Sequence, residues 1–176
     1  RKSLRRTVAL IVEDWTGKTN SESYASVADA DTYFTARRGD TTWAAASTAN
    51  KEKSLRNATD YIEEKYNARF IGRKATKDQS LAFPRAYIES YDGYAIQSDE
   101  IPEKLKRATM ELALRALSED LLPDLANPGE IASETNQVGS LRQSVAYIGG
   151  KGNIKSYRSA TMLLREYLMG ETFERS

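Results

Sequence analysis

Apolar side chains return at helical intervals in several parts of this chain. Leu55, Ala58, Ile62 and Tyr66 stand three, four and four residues apart, which predicts a half-buried helix from about Ala49 to Tyr66. Pro102 followed by Leu105, Ala108, Leu112, Ala113, Ala116 and Leu117 predicts another, with proline in the first turn, where an N–H has no helical partner anyway. Val27, Ala30, Tyr33 and Phe34 share one face of a shorter helix. Ser26 caps it, Asp29 favours its positive end and Gly39 closes it. Trp43-Ala44-Ala45-Ala46 reads as a helical turn, and Met162, Leu163, Tyr167 and Leu168 mark a final short helix within Ser159 to Met169.

The remaining segments read differently. Thr7 to Val12 is apolar and β-branched, an expected strand or extended arm. Thr76 and Gln79 have capping-box spacing for a short helix that must end at Phe83, because Pro84 disfavours helical geometry in the residue before it. Asp92-Gly93 is a turn, and Asn127-Pro128-Gly129 breaks the pattern. Ile131 to Val138 and Leu141 to Ile148 flank Gly139-Ser140 as a β-hairpin, and Gly149 to Asn153 is a hinge. The expected fold is mainly α: a small helical bundle with a β-hairpin and extended N- and C-terminal arms. Within a single domain over 1–176, residues 1–20 form the arm, 21–125 the helical core, 130–150 the hairpin and 155–176 a C-terminal docking helix and tail.

Composition narrows the chemistry. The 176 residues, 40% hydrophobic and 29% charged, suffice for one domain with a core. Cysteine and histidine are both absent, which removes disulfides, thiolate metal sites, Ser-His and Cys-His dyads and the usual neutral-pH proton carrier. A metal site would need carboxylates alone, favouring Mg²⁺ or Ca²⁺. The acids lack that spacing: Asp29 and Asp31 do not share a helix face, and Glu63-Glu64 and Asp99-Glu100 are adjacent pairs expected in solvent. No catalytic residue, cofactor site or metal site is expected, and the chain does not read as an enzyme. The longest aliphatic run, Val8 to Val12, is far below the ~20 residues of a bilayer span. Arg1, Lys2, Arg5 and Arg6 imitate the start of a signal peptide, but no adequate apolar region follows. The expectation is a soluble protein with no membrane partner.

Two glycine motifs dissolve on inspection. Gly17-Lys18-Thr19 resembles the end of a phosphate-binding loop, but the glycine needed five residues earlier is Val12. Gly150-x-Gly152 lacks a third glycine and a dinucleotide-fold context. Asn57-Ala58-Thr59 fits a glycosylation sequon in mid-helix, an accident of composition.

Two sets of residues remain as candidates. Lys65, Arg69, Arg73, Lys74 and Lys77 alternate with Tyr66 and Phe70, and cations for phosphates beside aromatics for bases is the make-up of a single-strand-binding surface or a DNA-channel lining. Against this, Tyr66 falls on the apolar helix face, and cations near a helix C-terminus complement its dipole without a ligand. The net charge of only +1 gives no global field toward nucleic acid. Tyrosine, present ten times, suits interfaces. Tyr87, Tyr91 and Tyr94 in a loop-like segment, with Tyr157, Met162, Leu163, Tyr167 and Leu168 behind the hinge, are candidate partner-binding residues.

Val8-Ala9-Leu10-Ile11-Val12-Glu13-Asp14, Ser23 to Asp31, Thr76-x-x-Gln79-x-Leu81-Ala82-Phe83-Pro84-Arg85 and Ile101-Pro102-x-x-Leu105-Lys106-Arg107-Ala108 also carry a resemblance. In order and spacing, over roughly Val8 to Leu168, the chain resembles the head–tail connector (adaptor, or head-completion) proteins of tailed bacteriophages, some of them labelled DnaT-like single-stranded DNA-binding proteins. Trp15 departs from it, standing where a small residue is expected in the early turn. The resemblance implies a structural virion protein of the neck, assembled in the host cytoplasm. Its copies would form an oligomeric ring, twelve-fold by analogy with portals. The partners would be the portal protein and tail or neck proteins, with DNA passing through the lumen in non-specific contact. The alternative is a single-stranded-DNA-binding accessory protein of replication or recombination using Lys65 to Lys77.

Overall fold

The computed structural model describes residues 9–37, 39–123, 134–138, 141–145 and 155–169. They fall into two compact units, one comprising the chain to Leu121 with the segment from Ser156 onward, the other Leu122–Lys155.

In the first unit each early helix starts where a side chain can accept an orphan amide. Ser26 Oγ accepts from Asp29 N–H at 3.0 Å while Asp29 accepts from Ser26 N–H at 3.0 Å, a reciprocal cap that opens α1 (Val27–Arg37). Gly39, at φ +55°, ends the segment by donating to Phe34 O. Asp40 caps α2 (Thr41–Ala45) and Ser47 caps α3 (Thr48–Tyr66). The expected stripe of α3 is buried: Leu55, Ala58, Ile62 and Tyr66, with Tyr61 beside them. α4 (Glu103–Ala116) begins one residue after Pro102 and buries Leu105, Ala108, Leu112 and Ala113, whereas Ala116 and Leu117 are only half-buried. α5 (Arg158–Leu164), followed by a 3-10 turn at Arg165–Tyr167, packs against α4.

A small helical bundle with extended arms is not what forms. Residues 67–101 are non-helical apart from a 3-10 turn at Asn67–Arg69, yet they supply Phe70, Leu81, Ala82, Phe83, Ile88 and Ile101 to the core. Short antiparallel ladders order this segment: β1 (Arg73–Lys74) with β2 (Arg85–Ala86), and β3 (Ile88–Glu89) with β4 (Ala95–Ile96). Phe83 is its hub, edge-on to Tyr24, Phe70 and Tyr167 at 6.3, 5.0 and 5.9 Å between centroids. The short helix expected before Pro84 is absent. Gln79 does bond Thr76 N–H at 2.8 Å, but its own amide donates to the carbonyls of Leu81 and Pro84, which fixes a turn instead.

Neither described end is a free arm. Val12 bridges Ser23, and Glu13 is buried, its carboxylate accepting from Gly17 N–H (3.0 Å), Lys18 N–H (3.1 Å) and Ser21 Oγ (2.7 Å). The amides that a phosphate-binding loop would aim at its ligand are thus already bonded to the chain's own carboxylate. At the other end Tyr157 meets the Tyr61 ring at 5.2 Å, and Leu168 bridges Phe70.

In the second unit β5 (Glu134–Val138) and β6 (Leu141–Val145) pair antiparallel, from Glu134 opposite Val145 to Val138 opposite Leu141. Both strands lie within the expected hairpin. Its outer residues, Gly139-Ser140, the Asn127-Pro128-Gly129 break and the hinge at Gly149 to Asn153 lie outside the described residues.

Candidate nucleic-acid interface

The expected cationic run divides once folded. Lys65 lies back over the rings of Tyr61 and Tyr66, 5.4 and 5.7 Å from their centroids, and burial followed by the charge of Arg69 lowers its pKa. Tyr66 and Phe70, the aromatics interleaved with the cations in sequence, are core residues. Neither can stack on a base. Arg69 is half-buried in the 3-10 turn, Lys74 donates to Gln79 O at 3.2 Å, and Arg73 and Lys77 are exposed.

The ring that meets Arg73 comes from elsewhere. In the β1–β2 ladder Arg73 pairs with Ala86, which brings the next residue, Tyr87, beside it. The Arg73 guanidinium sits over the Tyr87 ring, 4.9 Å from its centroid, and donates to its hydroxyl at 3.3 Å. The ring remains 76% exposed. Tyr87 also has φ +61°, a left-handed backbone that costs a residue with a Cβ about 1–2 kcal/mol. A water-facing ring on a strained backbone gains the core nothing.

Two buried features hold this plate in place. Arg85, 7% exposed, donates to the carbonyls of Ile71 (2.8 Å), Gly72 (2.8 Å), Phe70 (3.2 Å) and Ala82 (3.4 Å), which fixes the turn leading into Arg73. Gly72, at φ +71°, lets β2 approach: a Cβ there would lie 2.3 Å from Ala86 O and 3.0 Å from Tyr87 O. Glu63 is half-buried rather than solvated, accepting from Ala82 N–H at 3.0 Å and from the Tyr24 hydroxyl. Burial raises its pKa, partly offset by those donors. Glu64 is exposed as expected.

The partner-binding candidates divide as well. Tyr91 and Tyr94 are 71% and 76% exposed. Their segment is anchored where Tyr91 N–H donates to Glu166 at 3.1 Å, and Glu166 is itself paired with Lys104. Met162 is exposed, and Leu163 and Leu168 are half-buried. Tyr157 and Tyr167 face inward.

Charge separates the two exposed tyrosine groups. Residues 65–77 carry Lys65, Arg69, Arg73, Lys74 and Lys77 and no acid. Residues 89–100 carry Glu89, Asp92, Asp99 and Glu100 and no base. Tyr87 therefore lies beside the basic stretch, and Tyr91 and Tyr94 lie within the acidic one.

Tyr87, expected among the partner-binding residues, lies against Arg73, fourteen positions away, a contact that spacing along the chain does not signal. The two-residue ladder that joins them is too short to leave an alternating pattern. Among the described residues no group of three or more acidic, His or Cys side chains is placed to hold a metal ion, and no helix is long and apolar enough to cross a membrane.

Compared with known families, residues 8–175 match the family described as "Putative DnaT-like ssDNA binding protein". No curated protein and no solved structure matches the chain.

Proposed function

Because the chain belongs to the DnaT-like ssDNA-binding protein family, we propose that it is an accessory protein that holds single-stranded DNA on the surface of Arg69, Arg73, Lys74 and Lys77, with Tyr87 as stacking plate. The observation that carries this reading is the strained, exposed Tyr87 ring beneath the Arg73 guanidinium. The cations meet phosphates, and an unpaired base lies against the ring. Every base has a π face, so recognition tolerates sequence, and a duplex with its bases stacked inside offers nothing to the ring.

Tyr87→Asn is the cleanest test, since asparagine accepts left-handed backbone. One lost stack is worth about 1–3 kcal/mol, so the variant should bind a labelled oligothymidylate roughly 5- to 150-fold more weakly with an unchanged melting temperature. Arg73→Ala should in addition reduce the salt slope of binding by about 0.7. Full affinity of Tyr87→Asn, or equal binding of duplex and single strand, would overturn the assignment.

A second reading rests on Tyr91 and Tyr94, large exposed rings among carboxylates. Such a surface fits a protein interface, and it supports assembly as a phage head–tail connector: a ring on the portal, joined to tail or neck proteins, with the basic surface toward the DNA lumen. A ring uses two different surfaces of each copy. A Tyr91→Ala, Tyr94→Ala double variant should then keep its oligonucleotide affinity while no longer joining portal-bearing heads. Normal joining by that variant would remove this reading and leave the first untouched.

A further inference from the structure

Among the described residues, two that are not glycine have positive φ: Tyr87 and Trp15, at +73°. Both are aromatic, and Trp15 is 57% exposed. Strain in one water-facing ring could be local accident. The same strain recurring in a second ring of the same kind asks for a common cause.

The turn that carries Trp15 is rigid. Its amides at 17 and 18 are held by buried Glu13, and Thr16 Oγ1 donates to Asp14 at 2.6 Å. Lys18 pairs with Asp14 at 2.7 Å, so its charge is matched within the turn. Nothing in this network requires an indole at position 15.

The turn is also fastened to the segment that leads away from Tyr87. Ser80 N–H donates to Lys18 O at 2.9 Å, and Ser80 Oγ lies 2.8 Å from Ser21 Oγ. Gly17 lies so close to Thr76 that a Cβ would fall 2.7 Å from its hydroxyl. The stretch from Arg73 to Ser80 therefore begins beside the Tyr87 ring and ends against the Trp15 turn, with Lys74 and Lys77 between. From Arg73 to Thr76 an extended chain covers about 10 Å, the reach of a few nucleotides.

We infer that Trp15 is a second base-stacking plate, and that one DNA strand runs from Tyr87 past Lys74 and Lys77 to Trp15. This deepens the single-strand reading above and rests on it. Two rigid plates joined by cations would hold a strand of fixed minimum length, with affinity rising steeply once an oligonucleotide reaches both.

Trp15 reports on itself, because the other tryptophan, Trp43, is 2% exposed and bonded through its indole N–H to Asp31. The experiment titrates the full chain with oligothymidylates, reading tryptophan emission and, separately, the anisotropy of a labelled oligonucleotide. Quenching should accompany binding. Trp15→Asn, which suits the left-handed backbone, should abolish the quenching and weaken binding roughly 5- to 150-fold at unchanged melting temperature. Binding by anisotropy without quenching, or full affinity of Trp15→Asn, overturns the second plate while Tyr87 stands. Emission that ignores DNA but shifts on self-association assigns the ring to a subunit contact and also overturns it. No binding by either readout ends the single-strand reading and this inference together.

Discussion

Replacing Arg85 by alanine should lower the unfolding free energy by about 3–5 kcal/mol, among the largest losses available from one substitution in this chain. Its guanidinium is buried and donates to four carbonyls, those of Phe70, Ile71, Gly72 and Ala82. Alanine leaves those oxygens with water-sized space but poor access to water. Lysine is no remedy, because one ammonium on a flexible stem cannot reproduce a planar fork of five donors. For a chain of this size the loss corresponds to roughly 10 °C in melting temperature. Arg85→Lys should recover less than half of it. A shift below about 2 °C for Arg85→Ala would mean that the loop from Phe70 to Gly72 is held by something else. Because that loop leads into Arg73, oligonucleotide affinity should fall in the same variant even at temperatures where it remains folded.

Glu63→Ala should cost about 3 kcal/mol, for the complementary reason. It strips the acceptor from Ala82 N–H and from the Tyr24 hydroxyl, which in turn accepts from Phe83 N–H at 3.2 Å. Three buried groups would lose their order, next to the Phe83 ring. Glu63→Gln keeps an acceptor and gives the sign of the pH dependence. Burial raises the folded pKa of Glu63 above its unfolded value, so the native state holds this proton more tightly than the unfolded chain. Its contribution is then fully present below the unfolded value of about 4.3 and is lost as pH rises through the folded pKa. The stability advantage of the parent over Glu63→Gln, measured by urea unfolding, should accordingly shrink between pH 4 and pH 7. An advantage that grows over that range would show that the charged form is the favoured one in the fold. Glu22, Asp31 and Glu166, whose pKa values are lowered, run the other way and lose their contributions as pH falls. Taking the difference between parent and variant cancels them.

The helices α1, α3 and α4 could be read from the chain because each signals itself locally. Ser26 and Asp29 cap one, a spacing of three and four marks the next, and Pro102 opens the third. The segment from Asn67 to Ile101 could not. Its ladders are two residues long, its turn is fixed by Gln79 reaching two carbonyls, and its core residues obey neither period. Sequence suggested a bundle because helices announce themselves at short range and a cross-chain clasp such as Arg85 does not. The site shows the same divide. The run of cations from Lys65 to Lys77 was visible, but the aromatics nearest in sequence, Tyr66 and Phe70, belong to the core. The ring that meets Arg73 arrives through a register, Arg73 opposite Ala86, that only the folded chain defines. Glu63 read as solvent-facing because adjacent glutamates usually are; its partial burial comes with a contact to Tyr24 across thirty-nine positions.

Gly72 carries one last consequence, for how this surface can drift over generations. Even alanine at that position would drive a methyl into the Ala86 carbonyl and push the following ring away from its guanidinium. The aim of the aromatic plate is therefore set by an atom that is missing. Surrounding lysines can trade places at little cost, since any nearby positive charge serves a phosphate, but this vacancy has no substitute.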